Sequence, residues 1–297
     1  NVTNDSVIRS ALIVDEGDPF STLLVNKSIN EIKARNIFGK VEHKILPGSS
    51  NDLKVLEIEV EEKATGEIMA GAGVGTDGTS FQFSVTENNW LGRGIKLRSS
   101  LNTTKETISG SLAVTNPNFN YSNNAVFTSL DVSSSDMTDN SGYESTKTGF
   151  SLGTEFEQWE DIYIAPSMAM SQQEIEFQTS ATDAVKKMDG TFSNLDLFYG
   201  ITVDRRNQSF QPTSGHRTKF VQSIPVIMDN SSFLNGIDIS KYHAFSEDII
   251  GSIKFFGRSI HRVGDDDVRL TSRLFMTQTK LRVFNTRRVG PKDGEDW

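Results

Sequence analysis

Residues 66–94 read Gly66-Glu67-Ile68-Met69-Ala70-Gly71-Ala72-Gly73-Val74-Gly75-Thr76-Asp77-Gly78-Thr79-Ser80-Phe81-Gln82-Phe83-Ser84-Val85-Thr86-Glu87-Asn88-Asn89-Trp90-Leu91-Gly92-Arg93-Gly94. In an extended segment Gly71, Gly73 and Gly75 share one face, while Gly66 lies outside that phase. A strand so poor in side chains pairs weakly with its neighbour. Thr76-Asp77-Gly78-Thr79 supplies a hairpin turn. The strand that follows ends at Asn88–Gly94, a second turn whose Trp90 suits a membrane interface. Before this stretch the chain has the mixed helix and strand pattern of a small domain. After it come strand candidates separated by turn residues.

The 297 residues are enough for one large all-β unit or two smaller domains. Mean hydropathy is −0.37, and no apolar run approaches the roughly 18 residues of a spanning helix. A membrane barrel remains open, because its strands alternate outward apolar with inward polar residues and average to mild polarity. A net charge of −9 argues against a nucleic-acid surface. The absence of Cys excludes disulfides, thiolate metal sites and thiol catalysis. Asn1-Val2-Thr3-Asn4-Asp5 has none of the features of a signal peptide, and Gly294-Glu295-Asp296-Trp297 stops in a loop. A fragment cut at both ends is therefore expected.

In the first 65 residues Asp5 is expected to cap a short helix over residues 6–12. Asp15–Phe20 forms a turn, and Ser21 caps a second helix to about Asn36, with Val25, Ile29 and Ile32 at i, i+4, i+7. Residues 38–46 and 53–61 alternate as two strands joined by the loop at 47–52. From Gly66 onward about eleven strand candidates have the length of a tilted membrane strand, ~9–11 residues or more. The first two are followed by strands near 93–103, 106–115, 124–133, 146–156, 161–172, 191–204, 216–226, 236–246 and 249–260. Asn116-Pro117-Asn118-Phe119 is expected to make a tight turn. The pattern fails after residue 260, where only short apolar pieces such as Val268-Arg269-Leu270 remain. Loop lengths do not sort the two ends of the sheet.

This succession resembles the BamA family of outer-membrane insertases. Asp5 with Val7-Ile8-Arg9, Glu16-Gly17-Asp18 and Asn36-Ile37-Phe38 are similar to a POTRA domain lacking its first strand, at residues 1–65. Residues 66–94 resemble the family's entry into its barrel. Asp204-Arg205-Arg206, with Pro212-Thr213-Ser214-Gly215, resembles a family turn. Lys280–Pro291 resembles the sixth extracellular loop, where Arg282 and Phe284 match the Arg-Gly-Phe core and Val283 replaces its Gly, a β-branched residue that tolerates positive φ poorly.

The resemblance implies a mostly β fold: a small α+β POTRA domain, then about eleven of sixteen strands of an antiparallel transmembrane β-barrel at 66–297. Strands would run to about 260 and a long inward-folding extracellular loop would occupy 261–297. It implies insertion of unfolded β-barrel clients into the outer membrane of a Gram-negative bacterium, with the POTRA domain in the periplasm. Gly66, Glu67, Ile68, Met69, Ala70, Gly71, Ala72, Gly73, Val74 and Gly75 would form a lateral-gate strand. Arg282, with Val283 and Phe284, would anchor the loop in the lumen. Glu16 would contact an accessory outer-membrane lipoprotein. The lipid bilayer is the remaining partner, and no cofactor, ATP, metal, nucleic acid or enzymatic chemistry is implied.

Plainer readings stand beside these. The glycines of 66–75 also suit a bulge or barrel bend, Arg282 an exposed loop arginine, and Glu16 an ordinary turn glutamate. Asp204-Arg205-Arg206 reads as an ion pair before it reads as a catalytic carboxylate with a basic partner. Gly264-Asp265-Asp266-Asp267 offers oxygens to a hard cation or a solvated loop. His43, His216, His243 and His261 lack helical metal spacing, and Gly71-Ala72-Gly73 is followed by no helix that could hold a nucleotide. A TamA-like or two-partner-secretion translocator is the neighbouring alternative. A passive porin or barrel enzyme is the alternative from another class; the first would not carry a POTRA-like domain, and the second calls for Ser, His and Asp placed for acyl chemistry.

Overall fold

The computed structural model describes residues 3–50, 52–75, 78–138, 142–178, 186, 188–208, 211–227, 232–246, 248–264 and 268–276. Its first unit holds helices α1 (Asp5–Arg9) and α2 (Thr22–Ala34) and the hairpin β1 (Phe38–Pro47) and β2 (Lys54–Glu62). Val25, Ile29 and Ile32 form one stripe of α2 and bury with Val7, Ala11, Ile37 and Phe38 against Val41, Leu56, Ile58 and Val60 of the hairpin. Each fully buried aliphatic side chain contributes about 1.5–3 kcal/mol. Ser28 ties the linker to this core: its hydroxyl donates to the Leu24 carbonyl at 2.9 Å and accepts from the Ile13 N–H at 2.8 Å. Asp5 is not a cap. It is the first helical residue, where its carboxylate accepts from Arg9 Nε one turn on at 2.6 Å, the i,i+4 arrangement that an acid in the first turn favours.

The remaining elements are β3 (Gly66–Gly75), β4 (Gly78–Trp90), β5 (Ile95–Thr103), β6 (Thr107–Asn116), β7 (Ala125–Asp136), β8 (Tyr143–Trp159), β9 (Ile162–Phe177), β10 (Gly190–Asp204), β11 (Ser214–Ile227), β12 (Ser232–Ala244) and β13 (Ile250–Arg262). They form one antiparallel sheet in strict sequence order, with β3 at one edge and β13 at the other. Among the described residues the two edges do not pair with each other.

The two faces of the sheet differ in chemistry. Along β4, Phe83 and Val85 are exposed while the intervening Ser84 and Thr86 are buried. The same outer phase carries Leu101, Leu112, Leu130, Phe150, Met170, Leu197 and Phe255, all exposed. The opposite face is concave, since residues from β5 through β10 line a single cleft of about 500 Å³. Serines, Asn102, Asp131, Lys147 and Asp196 are in its lining, and hydroxyls on this face bond across strands, as between Ser100 and Ser111 and between Ser129 and Ser151, both at 2.8 Å. An apolar exterior around a polar interior is the pattern of a membrane barrel. No helix among the described residues is long and apolar enough to cross a membrane.

The connections β4–β5, β6–β7, β8–β9, β10–β11 and β12–β13 emerge at one end of the sheet. Trp90, Phe119, Tyr121, Trp159 and Phe245 are exposed there, as an interfacial belt of aromatics would be. The N-terminal unit docks at this end: the Asn4 N–H donates to the Gly92 carbonyl at 2.8 Å, and Asn118 Nδ2 donates to the Ser10 carbonyl at 3.0 Å. That docking replaces the expected tight turn at Asn116–Phe119. The connection runs from 117 to 124 through a 3₁₀ turn at Phe119–Tyr121, with positive φ at Asn120, Tyr121 and Asn123. Asn118 Oδ1 accepts from the Asn123 N–H, so one side chain closes the loop and grips the neighbouring unit. At the far end β8 and β9 extend to 17 and 16 residues, beyond the ~9–11 of a tilted membrane strand. The surplus buries Tyr143, Ile175 and Met188 together.

Candidate functional site

β3 is exposed along its whole described length: Ile68 is 75% and Val74 is 88% accessible. It pairs with β4 from Gly66↔Glu87 to Gly75↔Gly78. Direct partners point to the same side, so Glu67 and Met69, opposite Thr86 and Ser84, begin the inner face of β3, and Gly71 opposite Gln82 and Gly73 opposite Ser80 leave the rest of it bare. Ile68, Ala70, Ala72 and Val74 form its outer face. A Cβ on Gly71 would meet nothing within 4 Å, and one on Gly73 would meet only the Ser80 hydroxyl at 3.1 Å. No close packing accounts for glycine at position 71 in this arrangement. On its other side β3 pairs with no strand among the described residues and offers the N–H and C=O groups of an edge.

The strand is unevenly held. At its start the Thr65 hydroxyl donates to Glu87 Oε1, and the Asn88 N–H and side chain both donate to the Thr65 carbonyl, at 3.1 and 3.0 Å. Glu87 Oε1 also accepts from the Asn89 N–H at 2.7 Å. Asn89 passes the tie on, donating to the Thr3 hydroxyl and accepting from the Gly94 N–H, each at 2.7 Å. β3 is thus fixed at Gly66 and depleted of side-chain contacts toward Gly75.

A second assembly occupies the inner wall. Residues 268–276 follow β13 and return into the concave side, where Arg269 is 3% exposed. Its Nη2 donates to Asn194 Oδ1 at 2.8 Å, and its guanidinium carbon sits 4.3 Å from the Phe192 ring centroid. Two residues on, the Thr271 hydroxyl donates to Gln173 Oε1 at 3.3 Å. Asn194 and Gln173 belong to the inward phases of β10 and β9, so the loop is attached to two strands. The sequence marks Arg269 only as part of a short apolar piece. Phe192 and Asn194, two inward residues at the start of β10, are the signal that could have located its seat.

The Asp204–Gly215 turn forms a third cluster. Asp204 receives both Nε and Nη2 of Arg206, at 2.8 and 2.6 Å, and lies 3.5 Å from Arg217 Nε. Asn207 Oδ1 accepts from the N–H groups of Thr213 and Ser214, both at 3.1 Å. Gly215 has φ +92°, and a Cβ there would fall on the Arg205 carbonyl oxygen, so glycine is required. Asp204 and Arg206 form a bidentate pair, matching the ion-pair reading of this segment.

Of the other sequence-derived candidates, Glu16 stands on the exposed 15–18 turn, where its carboxylate accepts from Arg9 Nη1 at 3.2 Å. Arg282, Val283 and Phe284 lie outside the described residues, as do Asp265, Asp266 and Asp267. Among the described residues no group of three His, Asp or Glu could hold a metal ion. His243 instead stacks edge-on against Phe245, with centroids 5.1 Å apart.

Comparison with known proteins agrees with this geometry. The outer membrane protein assembly factor BamA of Neorickettsia risticii is 23% identical over 99% of the chain, which spans 40% of that relative's length. BamA from Haemophilus ducreyi lacking POTRA domains 1–3 superposes with a TM-score of 0.68 at 19% identity, covering 89% of this chain and 54% of that one. CdiB from Escherichia coli superposes with a TM-score of 0.60 at 12% identity, covering 88% and 52%. At these identities the superpositions show the shared fold. The Omp85 superfamily domain model matches residues 89–297, and the chain belongs to the Omp85 superfamily.

Proposed function

We propose that the protein inserts and folds β-barrel proteins in the outer membrane of a Gram-negative bacterium, and that β3 is the strand on which clients are templated. The observation that carries this reading is the β3 edge, exposed along its length and bare on its inner face from Gly71 onward, a glycine that no packing demands. An unfolded client strand would add to that edge by backbone hydrogen bonding. The driving force would come from the client itself, because each unpaired backbone group in lipid costs several kcal/mol. No ATP, cofactor or covalent step enters. On this reading residues 1–65 are a POTRA domain in the periplasm that passes extended clients toward the barrel. Glu16, exposed on its turn, would face an accessory lipoprotein, and Arg282 would extend the lumen attachment that Arg269 begins.

The chain contains no Cys, so an engineered pair would be unambiguous within it. One cysteine in β3 and one in the last strand of the full-length barrel should, once oxidised, abolish client insertion, and reduction should restore it. Full cross-linking with undiminished insertion would refute the gate. A translocator on the same fold is the second reading, supported by the likeness to CdiB. It is distinguished by the cargo: the translocator should release a secreted client in the same assay and leave barrel clients unassembled.

A further inference from the structure

Between the N-terminal unit and the sheet lies a cleft of about 370 Å³, lined from one side by α1 and Arg35 and from the other by the β4–β5 and β6–β7 connections. Among the described residues its lining holds two arginines, four asparagines, two serines, a tyrosine and two aliphatics, with no Asp or Glu. In a chain of net charge −9 this is a local reversal of sign. Neither Arg35 nor Arg93 forms an ion pair among the described residues. Arg35 leaves the end of α2 and is held close: its Nη1 lies 3.5 Å from where a Cβ on Gly94 would stand, and Val7 lies 3.0 Å from the same point. Burial presses its pKa down from the usual arginine value, with Glu31 opposing in part. The guanidinium stays charged at neutral pH, so its desolvation, which Glu31 offsets only in part, leaves a cation that an anion would stabilise.

We propose that this cleft binds the phosphate of a phospholipid headgroup. Guanidinium groups match phosphate oxygens by bidentate hydrogen bonding, and asparagine amides supply neutral donors beside them. The location selects a lipid. Ile95 and Asn116, at the cleft wall, are in the outward phase of β5 and β6, directly below the apolar face of the sheet. Tyr121, also in the lining, is 63% exposed, and Trp90 and Leu91 stand exposed beside Arg93. A headgroup in the cleft would leave its acyl chains along that apolar face. The inference goes beyond client insertion and depends only on which face of the sheet meets lipid.

The test is native mass spectrometry of the full-length protein in a phosphate-free maltoside detergent, titrated separately with phosphatidylglycerol and with a galactosyl diacylglycerol lacking phosphate. Wild type should retain one phosphatidylglycerol about tenfold more strongly than the galactolipid, in keeping with charge-assisted hydrogen bonds. Arg35→Gln with Arg93→Gln should erase that preference, whereas the corresponding Lys pair should keep part of it. Arg93→Gln alone, at an exposed turn residue, should weaken retention severalfold and serves if the double variant does not fold. Folding is monitored by the heat-dependent gel mobility of the barrel. Equal retention of the two lipids by wild type, or of phosphatidylglycerol by wild type and the glutamine variants, overturns the proposal. Inorganic phosphate displacing the lipid at equal concentration would assign the cleft to a soluble anion and overturn the lipid assignment.

Discussion

The guanidinium of Arg269 lies over the ring of Phe192, 4.3 Å from its centroid, and donates to Asn194 two residues further along the same strand. This seat attaches the segment after β13 to the inner face of β10, and Thr271 adds a contact to Gln173 on β9. The loop and the strands it touches are therefore constrained as one unit.

Arg269→Ala should release that unit. A cation over an aromatic ring contributes about 0.5–2 kcal/mol, and a hydrogen bond from a charged donor about 1.5–3. A net loss near 2 kcal/mol corresponds to a roughly thirtyfold rise in the detached population. Limited proteolysis on intact cells should show faster cleavage within residues 268–276, with Arg269→Lys intermediate. Equal protection of wild type and Arg269→Ala would mean that the segment is held elsewhere.

Gly71→Val should strengthen β3 without crowding it, since a Cβ there meets nothing within 4 Å. A β-branched residue in place of glycine is worth about 1 kcal/mol in a strand. Amide exchange in β3 should slow about fivefold, and client insertion should slow with it. Slower exchange with unchanged insertion would detach the glycines from function and leave them as a barrel bend.

The contrast between Gly71 and Gly215 shows what the sequence conveys. Both are glycines in strands, but Gly215 is dictated by a φ of +92° and the adjacent Arg205 carbonyl, and Gly71 by nothing nearby. Local pattern reveals the strand and its phase, because period-two alternation and turn residues are short-range signals. All eleven strands of the large sheet and the α2 stripe at Val25, Ile29 and Ile32 are legible in this way. The seat of Arg269 is not, since it depends on which loop residue reaches strands 75 and 98 positions away. Nor is the wide 117–124 connection, whose shape is set by Asn118 gripping Ser10 across the domain boundary.

Arg206→Ala should destabilise the barrel by about 1–3 kcal/mol. The pair with Asp204 is bidentate and mostly shielded, with side chains 16% and 22% exposed, so its removal leaves a carboxylate whose remaining cation among the described residues is Arg217 at 3.5 Å. The cost lies above that of an exposed pair and below that of a fully buried one. Urea titration of the folded, heat-modifiable form should move to a lower midpoint, with Arg206→Lys recovering only part because it lacks the planar fork. A midpoint equal to wild type would reduce the turn to a surface feature.

A row of polar side chains crosses the apolar side of the sheet. Tyr199, Gln222, Asn235 and Ser259 stand opposite one another on β10 to β13, in the outer phase shared by Leu197, Ile201, Ile239 and Phe255. The Tyr199 hydroxyl donates to Gln222 Oε1 at 2.7 Å, Gln222 Nε2 donates to Asn235 Oδ1, and Asn235 Nδ2 reaches the Ser259 hydroxyl at 3.4 Å. Facing lipid, such groups are tolerable because each satisfies its neighbour. Removing one strands the next, so Gln222→Leu and Asn235→Leu should each destabilise the folded barrel. The double variant removes both members of the central bond together and should cost less than the sum of the two. Side-chain hydrogen bonds in membranes couple by about 0.6 kcal/mol on average and up to about 1.7. A double-mutant cycle in lipid vesicles should return a coupling in that range. Strict additivity would show that the amides are solvated separately by headgroups or water, and that the row is not a bonded ladder.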